Sequence, residues 1–130
     1  MIDKLALIEI QNKKILSARS IGRNVFYIPG GKREAGESDE EALVREIEEE
    51  LSVKIDPSTL VFYGEFQAQA HNHPDGVMVR MRCYTTTALG PFYPAAEIEE
   101  VRWLSCADMD IISTVDKIIF DDLRSRGLLD

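Results

Sequence analysis

Three glutamates, Glu46, Glu49 and Glu50, stand three and four residues apart in a stretch with helical periodicity, shortly after the segment Pro29-Gly30-Gly31. At ~100° per residue they fall at about 0°, 300° and 40°, so all three share one sector of about 100°. Leu43, Ile47, Leu51 and Val44 fall at about 60°, 100°, 140° and 160° and mark the buried stripe. The carboxylates therefore border the core and do not simply face bulk water. Like charges at this spacing each destabilise a helix by roughly 0.2–0.5 kcal/mol, and more where water is partly excluded. A divalent cation reverses that sign: carboxylate oxygens are hard ligands, and Mg²⁺ is commonly held by one or two of them together with water and substrate phosphates. The competing reading is a solvated acidic face, and the glycine-rich loop in front of the helix tips the balance toward a metal.

The surrounding elements must hold that face in place. Ser38 with Glu41 has the form of a capping box, and Asp39, Glu40 and Glu41 suit the positive end of a helix running to Leu51-Ser52. Before it, Leu5–Ile10 and Lys14–Ala18 read as two buried strands joined by a tight turn at Gln11-Asn12-Lys13, and Asn24–Ile28 as a third strand stopped by Pro29. After it, Leu60–Ala70 and Val77–Thr87 form a hairpin around Pro74-Asp75-Gly76. Alternation places Val77, Val79, Met81 and Cys83 on one face of its second strand, and Arg80, Arg82 and Tyr84 on the other. Ile98–Leu104 is a further strand, and Ile112–Leu128 a closing helix with Val115, Ile118, Ile119, Leu123 and Leu128 inward.

The chain has 130 residues, of which 45% are hydrophobic, which suits one domain spanning residues 1–130 with a continuous core. Fifteen basic residues against 23 acidic ones give a net charge of −8, which disfavours a nucleic-acid duplex as partner. Cys83 and Cys106 form no CxxC pair and are read as reduced thiols. The apolar run Leu5–Ile8 is too short for a signal sequence or a membrane span, so the expected location is cytoplasmic, without a membrane partner.

The stretch from Gly31 to Val53 resembles the Nudix box: a glycine, five residues, Glu, seven residues, Arg-Glu, an aliphatic, any residue, Glu-Glu, any residue, Gly, an aliphatic. Gly31, Glu37, Arg45, Glu46, Ile47, Glu49, Glu50 and Val53 stand at the fixed positions, and Ser52 replaces the final glycine. Phe26 to Gly31 with Glu34 resembles the strand and loop that precede the box, and Glu97 to Leu104 the strand that follows. The resemblance implies an α/β/α sandwich with a mixed central β-sheet. It implies Mg²⁺ or Mn²⁺ held by Glu46, Glu49 and Glu50 with the Gly30 carbonyl, while Glu37 and Arg45 brace the loop-helix junction. It also implies hydrolysis of a diphosphate bridge in a nucleoside diphosphate linked to a group X, with Glu50 or Glu97 accepting the proton of the attacking water. A non-catalytic nucleotide-binding module is the main alternative, and an isoprenoid diphosphate isomerase on the same fold is a third. Signatures of coenzyme A, ADP-ribose or dinucleoside-polyphosphate members are not evident, and a homodimer is common among relatives. Ser52 needs a left-handed cap conformation there or a different cap altogether.

For the small nucleotide-type substrate, Arg23 is a candidate phosphate contact and Phe26 a candidate stacking ring or core residue. Arg80 and Arg82, with Gln67 and Gln69 on the neighbouring strand, are a candidate polar patch, the alternative being a solvated sheet face. His71 and His73 are read as solvated turn residues, Trp103 as core, and Cys83 as a buried inert thiol.

Overall fold

The computed structural model describes residues 1–87 and 89–130. In chain order the elements are β1 (Ile2–Leu7), β2 (Ile10–Gln11), β3 (Lys14–Ser20), β4 (Gly30–Gly31), α1 (Asp39–Leu51), β5 (Val61–Gln69), β6 (Met78–Thr85), β7 (Ile98–Leu104) and α2 (Thr114–Ser125). Short 3-10 helices lie at Pro57–Thr59 and Cys106–Ile111. One sheet has the order β4-β1-β6-β5, with β1 and β6 parallel and the outer pairs antiparallel. The other is antiparallel, in the order β2-β3-β7. The expected mixed sheet is thus divided into a mixed four-stranded and an antiparallel three-stranded part.

Neighbouring residues on one strand enter different cores. Leu5, Leu7 and Leu16 pack with Leu43, Ile47 and Leu51 of α1. Ala6, Ile15, Val79, Met81 and Cys83 pack with Val115, Ile119, Phe120 and Leu123 of α2. A strand covered on both faces must be apolar throughout, which is why the sequence around Leu5–Ile8 is unbroken and not alternating. The helices on opposite sides complete the α/β/α sandwich. No helix among the described residues is long and apolar enough to cross a membrane.

Local chemistry fixes the ends of α1. The Ser38 hydroxyl accepts from the Glu41 N–H at 3.1 Å while the Glu41 carboxylate accepts from the Ser38 N–H at 3.0 Å, the reciprocal box expected from the sequence. At the other end Ser52 takes φ 61° and ψ 32°, the left-handed conformation that the usual glycine would adopt without steric penalty. The β2-β3 connection turns on Asn12 and Lys13, both with positive φ, as a two-residue hairpin requires.

Three expectations need correction. Asn24–Ile28 is not a regular strand: Phe26 and Tyr27 make only isolated bridges. The Phe26 N–H goes to the Ile111 carbonyl and the Ile28 N–H to the Asp116 carboxylate, so those donors do not build a ladder. The first strand breaks after Leu7 and resumes only at Ile10. The last helix is shorter than Ile112–Leu128, because a 3-10 turn precedes it and Gly127, at positive φ, turns the chain beyond it. Ile118, on the outer face of the helix, and Leu128, beyond that turn, are exposed, and Leu129 fills the core instead.

Replacing Ser52 by glycine is expected to raise stability by about 1 kcal/mol, since the left-handed conformation no longer opposes a Cβ. For a chain of this size that corresponds to a melting temperature higher by roughly 3–5 °C in thermal denaturation. No rise would mean that the 3.3 Å bond from the Ser52 hydroxyl to the Tyr93 carbonyl offsets the strain.

Candidate active site

The acidic face of α1 lies across β4. Glu50 is buried, and its Oε1 accepts from the Gly30 N–H at 3.3 Å. Glu46 is half-buried against Gly31: a Cβ on that glycine would stand 2.6 Å from a Glu46 carboxylate oxygen. A Cβ on Gly30 would collide with the Leu5 and Ala6 backbone. Both glycines are thus required by close approach, one to a strand and one to a carboxylate. Glu49 is exposed at the outer edge of the face.

Burial pushes the Glu50 carboxyl up to about 8, helped by the charges of Glu46, Glu97 and Glu49 and opposed by the Gly30 N–H. Burial also raises Glu46, although Arg45 pulls it back. Glu97 acts on both glutamates, so the structure brings this residue from a distant loop to the acidic face. Backbone bonds from Tyr93 N–H to the Leu51 carbonyl, and from Ala95 N–H to the Glu50 carbonyl, hold that loop to the end of α1.

Arg45 ties the loop to the helix. Its Nε and Nη2 grip the two Glu37 oxygens at 2.8 Å each, Nη2 also reaches the Lys32 carbonyl at 3.1 Å, and Nη1 reaches Glu46 at 2.9 Å. The guanidinium holds Glu37 down to about 2. Glu50, by contrast, makes no ion pair among the described residues. Among those residues no three acidic side chains already converge to hold a metal. The donor set nevertheless fits Mg²⁺ or Mn²⁺: all ligand atoms are hard oxygens, and their mutual repulsion at a buried position is the penalty such a cation relieves.

Beside this face opens a cavity of about 440 Å³, walled in part by Gly30, Gly31 and Glu50. Arg23 lines it, as does Lys32, and neither is ion-paired among the described residues. His71 and His73, expected only as solvated turn residues, line it too, His71 meeting the Tyr27 ring edge-on at 6.2 Å. Phe26 does not line it and is core, beneath the guanidinium of Arg102 at 4.8 Å. Arg80 and Arg82 also lie outside it, on the α1 side of the sheet. Arg80 is held by Asp3 at 2.5 Å, and Arg82 by Asp39 at 2.7 Å and Glu65 at 3.0 Å. Of the candidate substrate contacts named from the sequence, Arg23 and Gln69 line the cavity, and Phe26, Arg80, Arg82 and Gln67 do not.

The sequence profile of the NUDIX domain matches residues 5–123. The chain belongs to the Nudix hydrolase family. Among curated proteins no sequence matches significantly. Solved structures show the same fold. The MutT protein from Methanosarcina mazei Go1 is similar at a TM-score of 0.73 and 17% identity, covering 97% of this chain and 94% of that one. The E. coli ORF135 protein is similar at 0.68 and 24%, covering 97% and 92%. A bifunctional NMN adenylyltransferase/ADP ribose pyrophosphatase from Francisella tularensis, complexed with AMP and a Mn ion, is similar at 0.66 and 19%, covering 96% of this chain and 41% of that one.

Sequence reasoning missed three groups that the Nudix fold assembles around the cavity: Lys4 and Ser113, which line it, and Asp116 next to them. Asp116 is fully buried; one carboxyl oxygen accepts from the Ile28 N–H at 2.9 Å, and the Ser113 hydroxyl lies beside the carboxyl. The signal for this residue was an acidic side chain inside the apolar pattern of α2. Burial raises its carboxyl from the ordinary 3.8 to about 7, opposed by the Ile28 N–H, the Ser113 hydroxyl and the Lys4 charge.

Below pH 3.8 the Asp116 carboxyl is protonated in both folded and unfolded chains. Between that value and about 7 only the unfolded chain releases the proton, so stability falls as pH rises, and above about 7 the penalty stays constant. Asp116→Asn, which keeps an oxygen for Ile28, is therefore expected to be more stable than the native chain at pH 8. It should lose that advantage near pH 3, as read from urea denaturation midpoints at the two pH values. An equal difference at both would show that Asp116 is ionised in the fold.

Proposed function

We propose that this Nudix protein is a divalent-metal-dependent pyrophosphohydrolase that cleaves the diphosphate bridge of a nucleoside diphosphate linked to a group X. The observation that carries the reading is the buried Glu50, without a cationic partner, beside Glu46 and against the Gly30-Gly31 strand at the wall of a ligand-sized cavity. Glu46, Glu49 and Glu50, with the Gly30 carbonyl, are the groups that would hold Mg²⁺ or Mn²⁺. When bound, the ion supplies neutralisation of phosphoryl charge and a more acidic water.

The chain's own residues supply the rest. Arg23 and Lys32, cations without ion pairs on the cavity wall, hold the phosphate oxygens of the substrate. Arg45 fixes the loop and the Glu46 carboxylate relative to one another. Water attacks one phosphorus, the bridging P–O bond breaks, and a carboxylate accepts the water's proton; Glu50 and Glu97 are the two placed to do so. The Mn ion and AMP with the Francisella neighbour support both the metal and the nucleotide-type ligand. The reading takes residues 1–130 as one domain acting in the cytoplasm, alone or as a homodimer, on free nucleotides; the net charge of −8 disfavours long polyanions.

The test is release of phosphate or nucleotide from nucleoside triphosphates, nucleotide sugars, ADP-ribose and dinucleoside polyphosphates, with Mg²⁺ and with chelator. One class is expected to be cleaved, and chelator should stop it. Glu49→Gln and Glu50→Gln are each expected to lower kcat by about 10²-fold or more, by loss of charge at the reacting phosphate. The melting temperature should not fall, because a like charge has been removed. Undiminished turnover in Glu49→Gln would sink the metal assignment. Tight nucleotide binding without turnover, in folded protein, would point instead to a non-catalytic binding module.

A further inference from the structure

Lys4 stands apart from the other cations of its sheet. Arg80 and Arg82 on β6 are each held by a carboxylate, whereas Lys4 makes no ion pair among the described residues. It sits on β1 in register with Met81 of β6, and both line the cavity. Its Nζ lies 5.6 Å from the centre of the Tyr27 ring, another part of the wall. Burial pushes the ammonium below the usual lysine range, against the pull of Asp116 and Glu50.

A second, independent observation concerns the start of α2. The Ser113 hydroxyl occupies the N-cap position without capping the helix, is 2% exposed, and faces the Asp116 carboxyl, whose ionised form it favours. It lines the same cavity. The Asp116 carboxyl, held by the Ile28 N–H and beside the Ser113 hydroxyl, is within electrostatic reach of Lys4. A desolvated ammonium without an ion pair is costly for the free protein, and a ligand that places an acceptor oxygen against it relieves that cost.

We propose that Lys4 is a specificity-determining residue of the cavity, donating to an oxygen of the bound nucleotide, with Ser113 on the wall beside that oxygen and Asp116 behind Ser113. This rests on the nucleotide reading above. An ammonium has three donors and no acceptor, so it rewards a carbonyl or anionic oxygen and rejects an N–H at the same place. The oxygen belongs either to the base or to the group X, and the experiment separates the two.

Lys4→Met keeps the length of the side chain and its packing on Tyr27 while removing charge and donors. With Mg²⁺, kcat/KM is measured for the four common nucleoside triphosphates and for nucleotide sugars and ADP-ribose, in the native chain, Lys4→Met, Lys4→Arg and Ser113→Ala. In Lys4→Met the best substrate is expected to lose at least tenfold, mainly through KM, while the poorest changes little, so the ranking is compressed. Lys4→Arg restores part of it. Compression among bases assigns the oxygen to the base; compression among X groups assigns it to X.

Thermal stabilisation by AMP, GMP, CMP and UMP in chelator reads the base arm without turnover. Ligand-free Lys4→Met is checked by its melting transition, so that the ranking is read on folded protein. An unchanged ranking, with KM within twofold for every substrate, overturns the proposal while leaving the hydrolase intact. Failure of the native chain to cleave any of these nucleotides overturns both.

Discussion

Arg45 reaches four groups at once, two oxygens of Glu37, the carbonyl of Lys32 and the carboxylate of Glu46. A flexible loop and the middle of a helix are thereby joined through a planar group whose donors point in fixed directions, a role that the point charge of a lysine would not fill. The strand carrying Gly30 and Gly31 enters that loop directly. Its closeness to Glu46 and Glu50 is possible only because neither glycine has a side chain. The rest of the site depends on this clamp, since without it two partly buried carboxylates would be free to separate and each would become easier to hydrate.

The larger architecture keeps the clamped segment where it is. Sheet pairing of Gly31 with Leu5 and of Gly30 with Ala6 ties the glycines to β1, while Leu43, Ile47 and Leu51 anchor α1 on the same sheet. The capping box sets where the helix begins, and the bonds from Tyr93 and Ala95 satisfy carbonyls at its end. Those end contacts also deliver Glu97. Rigid elements therefore hold the carboxylates, and the polar network on the α1 face involving Asp39, Arg33, Arg82 and Tyr84 steadies the junction from outside the cavity.

What the sequence disclosed was local. The cap at Ser38, the acidic sector, the hairpins and the strand Ile98–Leu104 each follow from periodicity or turn chemistry within a few residues, and the spacing from Gly31 to Val53 carried the family resemblance. What it concealed depended on distant partners. Arg80 and Arg82 looked available because their acceptors, Asp3 and Asp39, come from β1 and the start of α1. Asn24–Ile28 looked like a strand because nothing nearby announces that Asp116 and Ile111 accept from its amides. Lys4 and Ser113 gave no signal because the cavity between them exists only once β1 lies parallel to β6 and α2 closes over the sheet.

The parallel pairing of β1 with β6 has a consequence for how such a protein can diversify. Glu46, Glu49 and Glu50, the two glycines and Arg45 all come from one short contiguous stretch, but the remaining cavity wall is gathered largely from β1, the β5-β6 turn and the start of α2. These segments are distant in sequence, and each contributes only one or a few exposed positions to the cavity. Changes there can reshape the ligand's surroundings one side chain at a time, without disturbing the segment responsible for bond cleavage. Chemistry and selectivity are thereby encoded in separate parts of the chain, so a lineage can acquire a new ligand while inheriting the old reaction.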